Sequence, residues 1–140
     1  MSTSSPFKTL KPYAVTLSVE DFKGLIRWYC DKLDFTLVKE KHYPEFGTSL
    51  VLLELNGYHV ELIKDAESVA GPKKDIPPAH TRFQGFTQFS LITNDIAEVR
   101  ETLVARNIPL TWEFANEELG LSFIFIQDPE GNLIQFMQKL

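Results

Sequence analysis

The chain has 140 residues, of which 44% are hydrophobic and 24% are charged, and this composition indicates a folded globular protein rather than a disordered one. The net charge of -5 disfavours nucleic-acid binding, because phosphate recognition needs a concentrated basic surface and the longest basic run is Lys73-Lys74. A single cysteine, Cys30, excludes an intrachain disulfide and a cysteine-rich zinc site.

The N-terminal segment, Met1–Pro6, is small and polar and lacks the basic and apolar regions of a signal peptide. No stretch approaches about 18 uninterrupted apolar residues, the length that a membrane-spanning helix requires. We therefore expect a cytoplasmic protein that forms one domain over residues 1–140 and does not contact a membrane.

The first predicted unit, at about residues 10–65, has the order β-α-β-β-β. Tyr13–Val19 is rich in strand-forming residues, and Asp21 is a plausible N-cap for a helix with apolar residues at helical spacing. Asn56-Gly57 is a strong hairpin signal. The strands predicted after the helix are Thr36–Lys41, Thr48–Leu55 and Tyr58–Lys64.

A linker is predicted at about residues 66–84, because this segment contains Gly71-Pro72 and Pro77-Pro78. The second unit follows at about residues 85–139, with a strand at Thr87–Thr93 and a helix after Asp95. Its remaining strands are predicted at Leu110–Phe114, Leu121–Gln127 and Leu133–Gln138. His42 and His80 fall in loop-like segments, and we expect both to be exposed to solvent.

The two units are related by one constant offset along the chain. Asp21 and Asp95, which open the two helices, are 74 residues apart, and so are Gly57 and Gly131, which precede the last strand of each unit. One offset that serves both ends of the unit indicates an internal repeat.

Several short motifs at equivalent places in these units resemble those of a known family. They are Val19-Glu20-Asp21 before the first helix, Trp28-Tyr29 within it, Leu33-Asp34-Phe35 after it, and Asp128-Pro129-Glu130-Gly131-Asn132 before the last strand. Together they resemble the glyoxalase / bleomycin-resistance / dioxygenase family, also called the vicinal-oxygen-chelate family. The resemblance covers about residues 10–139 and implies an α+β fold, in which two βαβββ modules form a curled mixed sheet around a cleft.

The same resemblance implies four positions for metal ligands, one on the first and one on the last strand of each module. These positions hold Ala14, Glu61, Gln88 and Gln135, and both pairs are separated by 47 residues. An alanine cannot coordinate a metal, and neutral amides are poor ligands for Zn²⁺ or Fe²⁺. We therefore expect no metal cofactor. The alternative is a divalent metal held by Glu61, Gln88 and Gln135 with His59, which shares the strand face of Glu61.

Strand alternation predicts which other side chains line the cleft. The resulting wall combines apolar surface with neutral polar groups and one acid, which suits a small organic ligand. Aromatic residues near the rim are candidates for stacking. The predicted ligand-binding residues are Thr16, Ser18, Phe46, His59, Glu61, Gln88, Ser90, Trp112, Phe123 and Gln135.

Three functions remain open from the sequence. The first is a metal-free protein of the bleomycin-resistance type, which would bind a small cationic or aromatic molecule beside Glu61. The second is a divalent-metal-dependent lyase, isomerase or dioxygenase of the same family. The third is a homodimeric interaction module. No catalytic residue is assigned, and the expected partners are a small-molecule ligand and a second copy of the chain.

Overall fold

The computed structural model describes residues 5–73 and 75–139. The first four residues of the N-terminal segment, Lys74 of the basic pair, and Leu140 lie outside the described residues. Within the described ranges, the chain forms the two predicted βαβββ modules, so the predicted α+β fold is confirmed.

Module one forms a four-stranded mixed sheet in the order β1-β4-β3-β2. The first and last strands of the module, β1 and β4, run parallel, and the other neighbours are antiparallel. The elements are β1 (Ala14–Ser18), α1 (Phe22–Leu33), β2 (Thr36–Tyr43), β3 (Thr48–Leu55) and β4 (Tyr58–Asp65).

Module two repeats this arrangement in the order β5-β8-β7-β6, again with the first and last strands parallel. Its elements are β5 (Gln88–Ile92), α2 (Ile96–Ala105), β6 (Trp112–Asn116), β7 (Leu121–Gln127) and β8 (Leu133–Lys139). The two modules match in detail: the N–H of Val19 donates to the carbonyl of Ile63 at 2.9 Å, and the N–H of Thr93 donates to that of Met137 at 2.8 Å. Donor and acceptor of the second hydrogen bond each lie 74 residues after their counterparts in the first, which is the predicted offset.

Most element boundaries lie close to the predicted ones, with two informative differences. Strand β2 continues to Tyr43, so His42 lies on a strand rather than in a loop, although it is exposed as expected. Strand β6 begins at Trp112, two residues later than predicted, although the N–H of Thr111 just before it already donates to the Phe125 carbonyl at 2.8 Å.

Local sequence explains how both helices begin. The carboxylate of Asp21 accepts a hydrogen bond from the Gly24 N–H at 3.1 Å, and that of Asp95 accepts one from the Glu98 N–H at 3.1 Å. Each aspartate satisfies an N–H that has no partner within its helix, which is the contribution expected of an N-cap. Described helices include none that is long and apolar enough to cross a bilayer.

The helices cover one face of each sheet, and the apolar core lies between them. Side chains from both modules belong to one buried cluster, in which Leu25, Tyr29, Val60 and Ile134 are almost fully inaccessible. Among the described residues, no hydrogen-bonded ladder joins the two sheets. The sheet faces opposite the helices are called the cleft faces below.

Polar contacts also join the modules. The buried Tyr29 hydroxyl of α1 donates to Oδ2 of Asp128 at 2.8 Å. The Glu130 carboxylate accepts the N–H groups of Glu20, at 2.9 and 3.0 Å, and of Asp21, at 2.8 Å, just before α1. A negative charge at a helix N-terminus is stabilising, so the Asp-Pro-Glu-Gly-Asn turn of module two holds module one in place.

Candidate ligand-binding site

Of the four predicted ligand positions, only one holds an acid, and it lies on the cleft face of module one. Thr16 on β1 lies beside Glu61 on β4 in the parallel ladder. The Thr16 hydroxyl donates to Glu61 Oε1 at 3.1 Å. The half-buried carboxylate therefore has one hydroxyl partner and keeps acceptor capacity for a ligand.

The cleft face of module two repeats this pair 74 residues later. Ser90 on β5 lies beside Gln135 on β8, and its hydroxyl donates to Gln135 Oε1 at 2.7 Å. The Gln88 amide also approaches Gln135 Oε1, with its Nε2 at 3.5 Å, and Gln88 Oε1 accepts from the Thr87 hydroxyl. In both modules, therefore, a hydroxyl group on the first strand donates to a side chain on the last strand. The acceptor is a carboxylate in module one and an amide in module two.

These residues do not fit a divalent metal ion. The four positions offer one carboxylate, two neutral amides and the methyl group of Ala14, whereas Zn²⁺ and Fe²⁺ prefer imidazole, thiolate and carboxylate. One oxygen of Glu61, Oε1, and the amide oxygen of Gln135 each accept a hydrogen bond from a neighbouring hydroxyl group. Over residues 5–73 and 75–139, no three His, Cys, Asp or Glu side chains are grouped to hold a metal.

His59 shares the cleft face with Glu61 but is engaged elsewhere. Its Nδ1 lies 3.2 Å from the Tyr13 carbonyl, and its ring lies 4.9 Å from the Tyr13 ring. A neutral imidazole that donates Nδ1–H to this carbonyl leaves Nε2 as an acceptor. His59 is therefore a wall residue near the start of β4, and a hydrogen bond to Glu61 is not among its described contacts.

An aromatic wall, consisting of Trp112, Phe114, Phe123 and Phe125, extends the cleft face of module two. Gln135 pairs with Phe125, and Phe125 pairs with Trp112, so these three side chains lie in one row across the sheet. The Trp112 and Phe125 rings stack at 6.0 Å, and those of Phe114 and Phe123 at 5.1 Å. Such surfaces bind flat apolar groups by stacking.

Two lysines on β2 belong to the cleft face of module one and were not predicted. Lys39 pairs with Leu52, which pairs with Glu61, so all three side chains lie on one face. The pKa of Lys39 is lowered by its hydrogen bond to Lys41 and by the charge of that group. Strand alternation could not locate these lysines, because a bulge between Leu37 and Lys39 reverses the faces along β2.

Two of the predicted residues lie apart from these rows. Phe46 belongs to a 3-10 turn after β2 (Pro44–Phe46) and is 74% exposed. Ser18 lies at the end of β1 and lines a cavity between the linker and the ends of β1 and β4. The other eight lie on strands β1, β4, β5, β6, β7 and β8.

The linker does not simply connect the modules, and the expectation that His80 is exposed is wrong. Only 8% of His80 is accessible, and its ring meets the edge of Phe125 on the cleft face of module two at 5.0 Å. Pro77, three residues before His80 in the linker, is buried as well. The linker therefore covers part of the aromatic wall.

The sequence and the fold are both similar to those of known proteins. The profile of the Glyoxalase/Bleomycin resistance protein/Dioxygenase superfamily matches residues 12–136. No curated protein matches the sequence.

Solved structures of similar fold span almost the whole chain. A glyoxalase-family protein from Enterococcus faecalis is 21% identical, with a TM-score of 0.70, over 94% of this chain and 98% of that one. A glyoxalase-family protein from Bacillus cereus is 16% identical, with a TM-score of 0.73, over 99% of both chains. A glyoxylase/bleomycin resistance protein/dioxygenase domain from Frankia sp. is 18% identical, with a TM-score of 0.70, over 91% and 95%. At these identities the likeness concerns the fold alone.

Proposed function

The chain belongs to the Glyoxalase/Bleomycin resistance protein/Dioxygenase superfamily, and from that premise we propose that it binds a small organic cation with an aromatic part in its cleft, without a metal ion. The observation that carries this proposal is the pair of matched hydroxyl contacts, Thr16 to Glu61 and Ser90 to Gln135. At the positions where the family's metal-dependent members place ligands, this chain has a hydrogen-bonding wall with a single acid.

The charge of Glu61 supports a cationic ligand. A half-buried carboxylate loses part of its hydration, and one hydroxyl donor, Thr16, restores only part of it. A cationic group beside Glu61 would give the carboxylate a further, charge-assisted hydrogen bond, which is stronger than a neutral one.

The aromatic wall supports the second half of the ligand description. Trp112, Phe114 and Phe123 are partly exposed on the cleft face that also carries Gln135. Flat apolar groups stack on such rings. Lys39 and Lys41, at the far edge of the other sheet, would restrict the cationic end of the ligand to the neighbourhood of Glu61 by repulsion.

Calorimetric titration with benzylammonium, an aromatic cation with three N–H donors, tests this proposal on chelator-treated protein. We expect saturable binding that Glu61→Gln weakens about tenfold or more, because a contact with a charged group contributes about 1.5–3 kcal/mol. The substitution keeps the shape of the side chain and its bond to Thr16 while removing the charge.

Glu101→Gln is the matched control, because Glu101 is an exposed residue of α2 on the opposite side of its sheet. It should leave the affinity unchanged. Equal affinity of the wild-type protein and Glu61→Gln would contradict the proposed role of Glu61, and the metal-dependent alternative would then deserve assays of lyase and dioxygenase activity.

A further inference from the structure

We propose a second activity for this chain, the hydrolysis of small aryl esters by Ser49, at a cluster on the sheet face opposite to that of Glu61. The cluster consists of Ser49, His42 and Glu40. The His42 imidazole joins the other two side chains, since its Nδ1 lies 2.7 Å from Ser49 Oγ and its Nε2 lies 2.8 Å from Glu40 Oε2. A hydroxyl, an imidazole and a carboxylate connected in this order form the arrangement that activates a serine as a nucleophile.

The register of the sheet places this cluster on the helix-covered face, just beyond the start of α1. Glu40 pairs with the fully buried Val51, and His42 pairs with Ser49, which is two residues before Val51 and on the same face. Phe22, the first residue of α1, meets the His42 ring edge-on at 6.4 Å. Ser49 is half-buried and 56% of the His42 side chain is accessible, so a small molecule in solution can approach the cluster.

The two hydrogen bonds of His42 are mutually consistent. A carboxylate only accepts, so in a neutral imidazole the contact with Glu40 requires the proton on Nε2. Nδ1 then carries the lone pair that accepts the hydroxyl proton of Ser49. His42 is thereby held in the form that a general base needs. Glu40 acts through His42 and is a positioning residue.

A lysine on the neighbouring strand supplies positive charge beside the hydroxyl. Lys64 of β4 pairs with Ser49 of β3, so a row of His42, Ser49 and Lys64 crosses three strands on one face. Side chains directly opposite each other in antiparallel strands start about 4.5–5.5 Å apart, which lets the lysine extend its ammonium group over an ester at Ser49. Lys64 forms no ion pair among residues 5–73 and 75–139. Its charge would stabilise the oxyanion that forms when the ester carbonyl is attacked.

The internal repeat provides a comparison for this row. Ser122 holds the matching place in module two, because it pairs with Gln138, which lies 74 residues after Lys64. Its partner on the other side is Ala115. Both modules therefore have a serine at this position, but module one flanks it with an imidazole and an ammonium group, and module two with a methyl group and an amide. Ser122 is thus an internal control for the reactivity of Ser49.

The reaction has two steps, and water is its only co-reactant. Ser49 Oγ attacks the carbonyl carbon of the ester while its proton passes to His42 Nδ1, and the bond to the aryl oxygen breaks as a phenol leaves with that proton. A water molecule then attacks the acyl-serine and gives a proton to His42, which returns it to Ser49 Oγ as the carboxylic acid departs. The Phe22 ring beside His42 offers an apolar surface to the aryl group, and an aryl ester is therefore the substrate class that fits.

Labelling with phenylmethylsulfonyl fluoride, followed by peptide mass spectrometry, tests the reactivity of Ser49. The reagent transfers its sulfonyl group to an activated serine hydroxyl and releases hydrogen fluoride, and its phenyl ring suits the surface of Phe22. We expect label on Ser49 and none on Ser122. Labelling of His42→Gln should be slower by about a hundredfold or more, which is the usual effect of losing a general base.

Hydrolysis of p-nitrophenyl acetate measures turnover. Ser49→Ala should remove it, Lys64→Met should lower kcat/KM about tenfold or more, and Ser122→Ala should match the wild-type protein. Glu40→Gln should also lower kcat/KM about tenfold or more, because the imidazole loses the partner that fixes its tautomer. Nitrogen NMR spectra of this variant should show that His42 no longer prefers the Nε2–H form, at an unchanged melting temperature.

The proposal is overturned by equal labelling of Ser49 and Ser122, by absence of label from Ser49, or by labelling that His42→Gln leaves unchanged. Turnover that persists in Ser49→Ala overturns it as well. The comparison of Ser49 with Ser122 is made within the wild-type protein, so it does not depend on the folding of a variant. Neither assay uses Glu61 or a cationic ligand, and a failure here is therefore distinguishable from a failure of the function proposed above.

Discussion

Asp128 combines burial with four hydrogen bonds, which makes it the most connected carboxylate of the described structure. Its Oδ1 accepts the N–H groups of Glu130 and Asn132, and its Oδ2 accepts from the Tyr29 hydroxyl and the Asn132 amide. Burial nevertheless raises the pKa of Asp128 above its ordinary value, because desolvation of the charge outweighs these bonds. Burial also raises the pKa of Tyr29, and the charge of Asp128 adds to this effect.

The stability of the protein should therefore depend on pH through Asp128. A carboxyl group whose pKa is higher in the folded state contributes stability that is fully present below its unfolded pKa and is lost as the pH rises through its folded pKa. The difference in free energy of unfolding between the wild-type protein and Asp128→Asn should thus be larger at pH 4 than at pH 7. Urea denaturation at both values measures it.

At pH 7 we expect Asp128→Asn to be the less stable protein by about 2 kcal/mol, because an amide cannot accept the four hydrogen bonds that the carboxylate accepts, and at pH 4 the difference should be larger. Asp31→Asn, which changes an exposed carboxylate of α1, is the control. A difference that grows between pH 4 and pH 7 would contradict the raised pKa.

Single residues of the site were predictable to different degrees. Alternation from the implied ligand positions predicted that Thr16 shares a face with Glu61 and Ser90 with Gln135, and the ladders place the members of each pair side by side. It could not predict the burial of His80, because the contact with Phe125 joins residues 45 positions apart, and a Pro-rich segment carries no periodic pattern.

At the scale of elements, the hairpin between β3 and β4 depends on an unusual backbone conformation. Asn56 and Gly57 have φ angles of 50° and 83°, as the two central residues of the tight turn preferred in hairpins require. Glycine adopts positive φ without steric cost, and other L-residues do so at a cost of about 1–2 kcal/mol.

Gly57→Ala should therefore lower the free energy of unfolding by about 1 kcal/mol. No atom lies within 4 Å of the added methyl group, so the loss would come from the backbone alone. Gly71→Ala is a matched control, because the added methyl group is equally unobstructed and its φ angle is not positive. Thermal unfolding of both variants measures the effect, and equal melting temperatures would contradict the role of the positive φ.

Most elements could be predicted because their apolar residues follow a clear period, and the Asn-Gly and Pro-Glu-Gly turns mark the strand ends. The bulge in β2 could not, since nothing in the residues around Val38 signals an extra residue in the ladder. Simple alternation from Thr36 places Val38 and Glu40 on the cleft face, whereas the structure has Lys39 and Lys41 there. One local irregularity thus changes the charge of a candidate binding surface.

At the scale of the whole molecule, the internal repeat explains both the fold and the place of the site. Each module supplies a hydroxyl and an acceptor at the same register, and the second module adds the Asp128 and Glu130 contacts that hold α1. The repeat could be predicted from one constant offset. The manner in which the linker covers the aromatic wall could not, because no residue pattern within residues 66–84 specifies its partner.

The proposed metal-free function rests on the side chains at the four predicted ligand positions. Three of them hold Ala14, Gln88 and Gln135 in place of good metal ligands, and only Glu61 is an acid. Measuring the metal content of untagged protein by mass spectrometry, after exposure to Zn²⁺, Ni²⁺, Mn²⁺ and Fe²⁺ and desalting, tests it most directly. We predict that no metal is retained in proportion to protein, because one carboxylate and two amides bind such ions weakly. Retention of one ion per chain that is lost in Glu61→Ala would contradict the proposal and favour a metal-dependent enzyme.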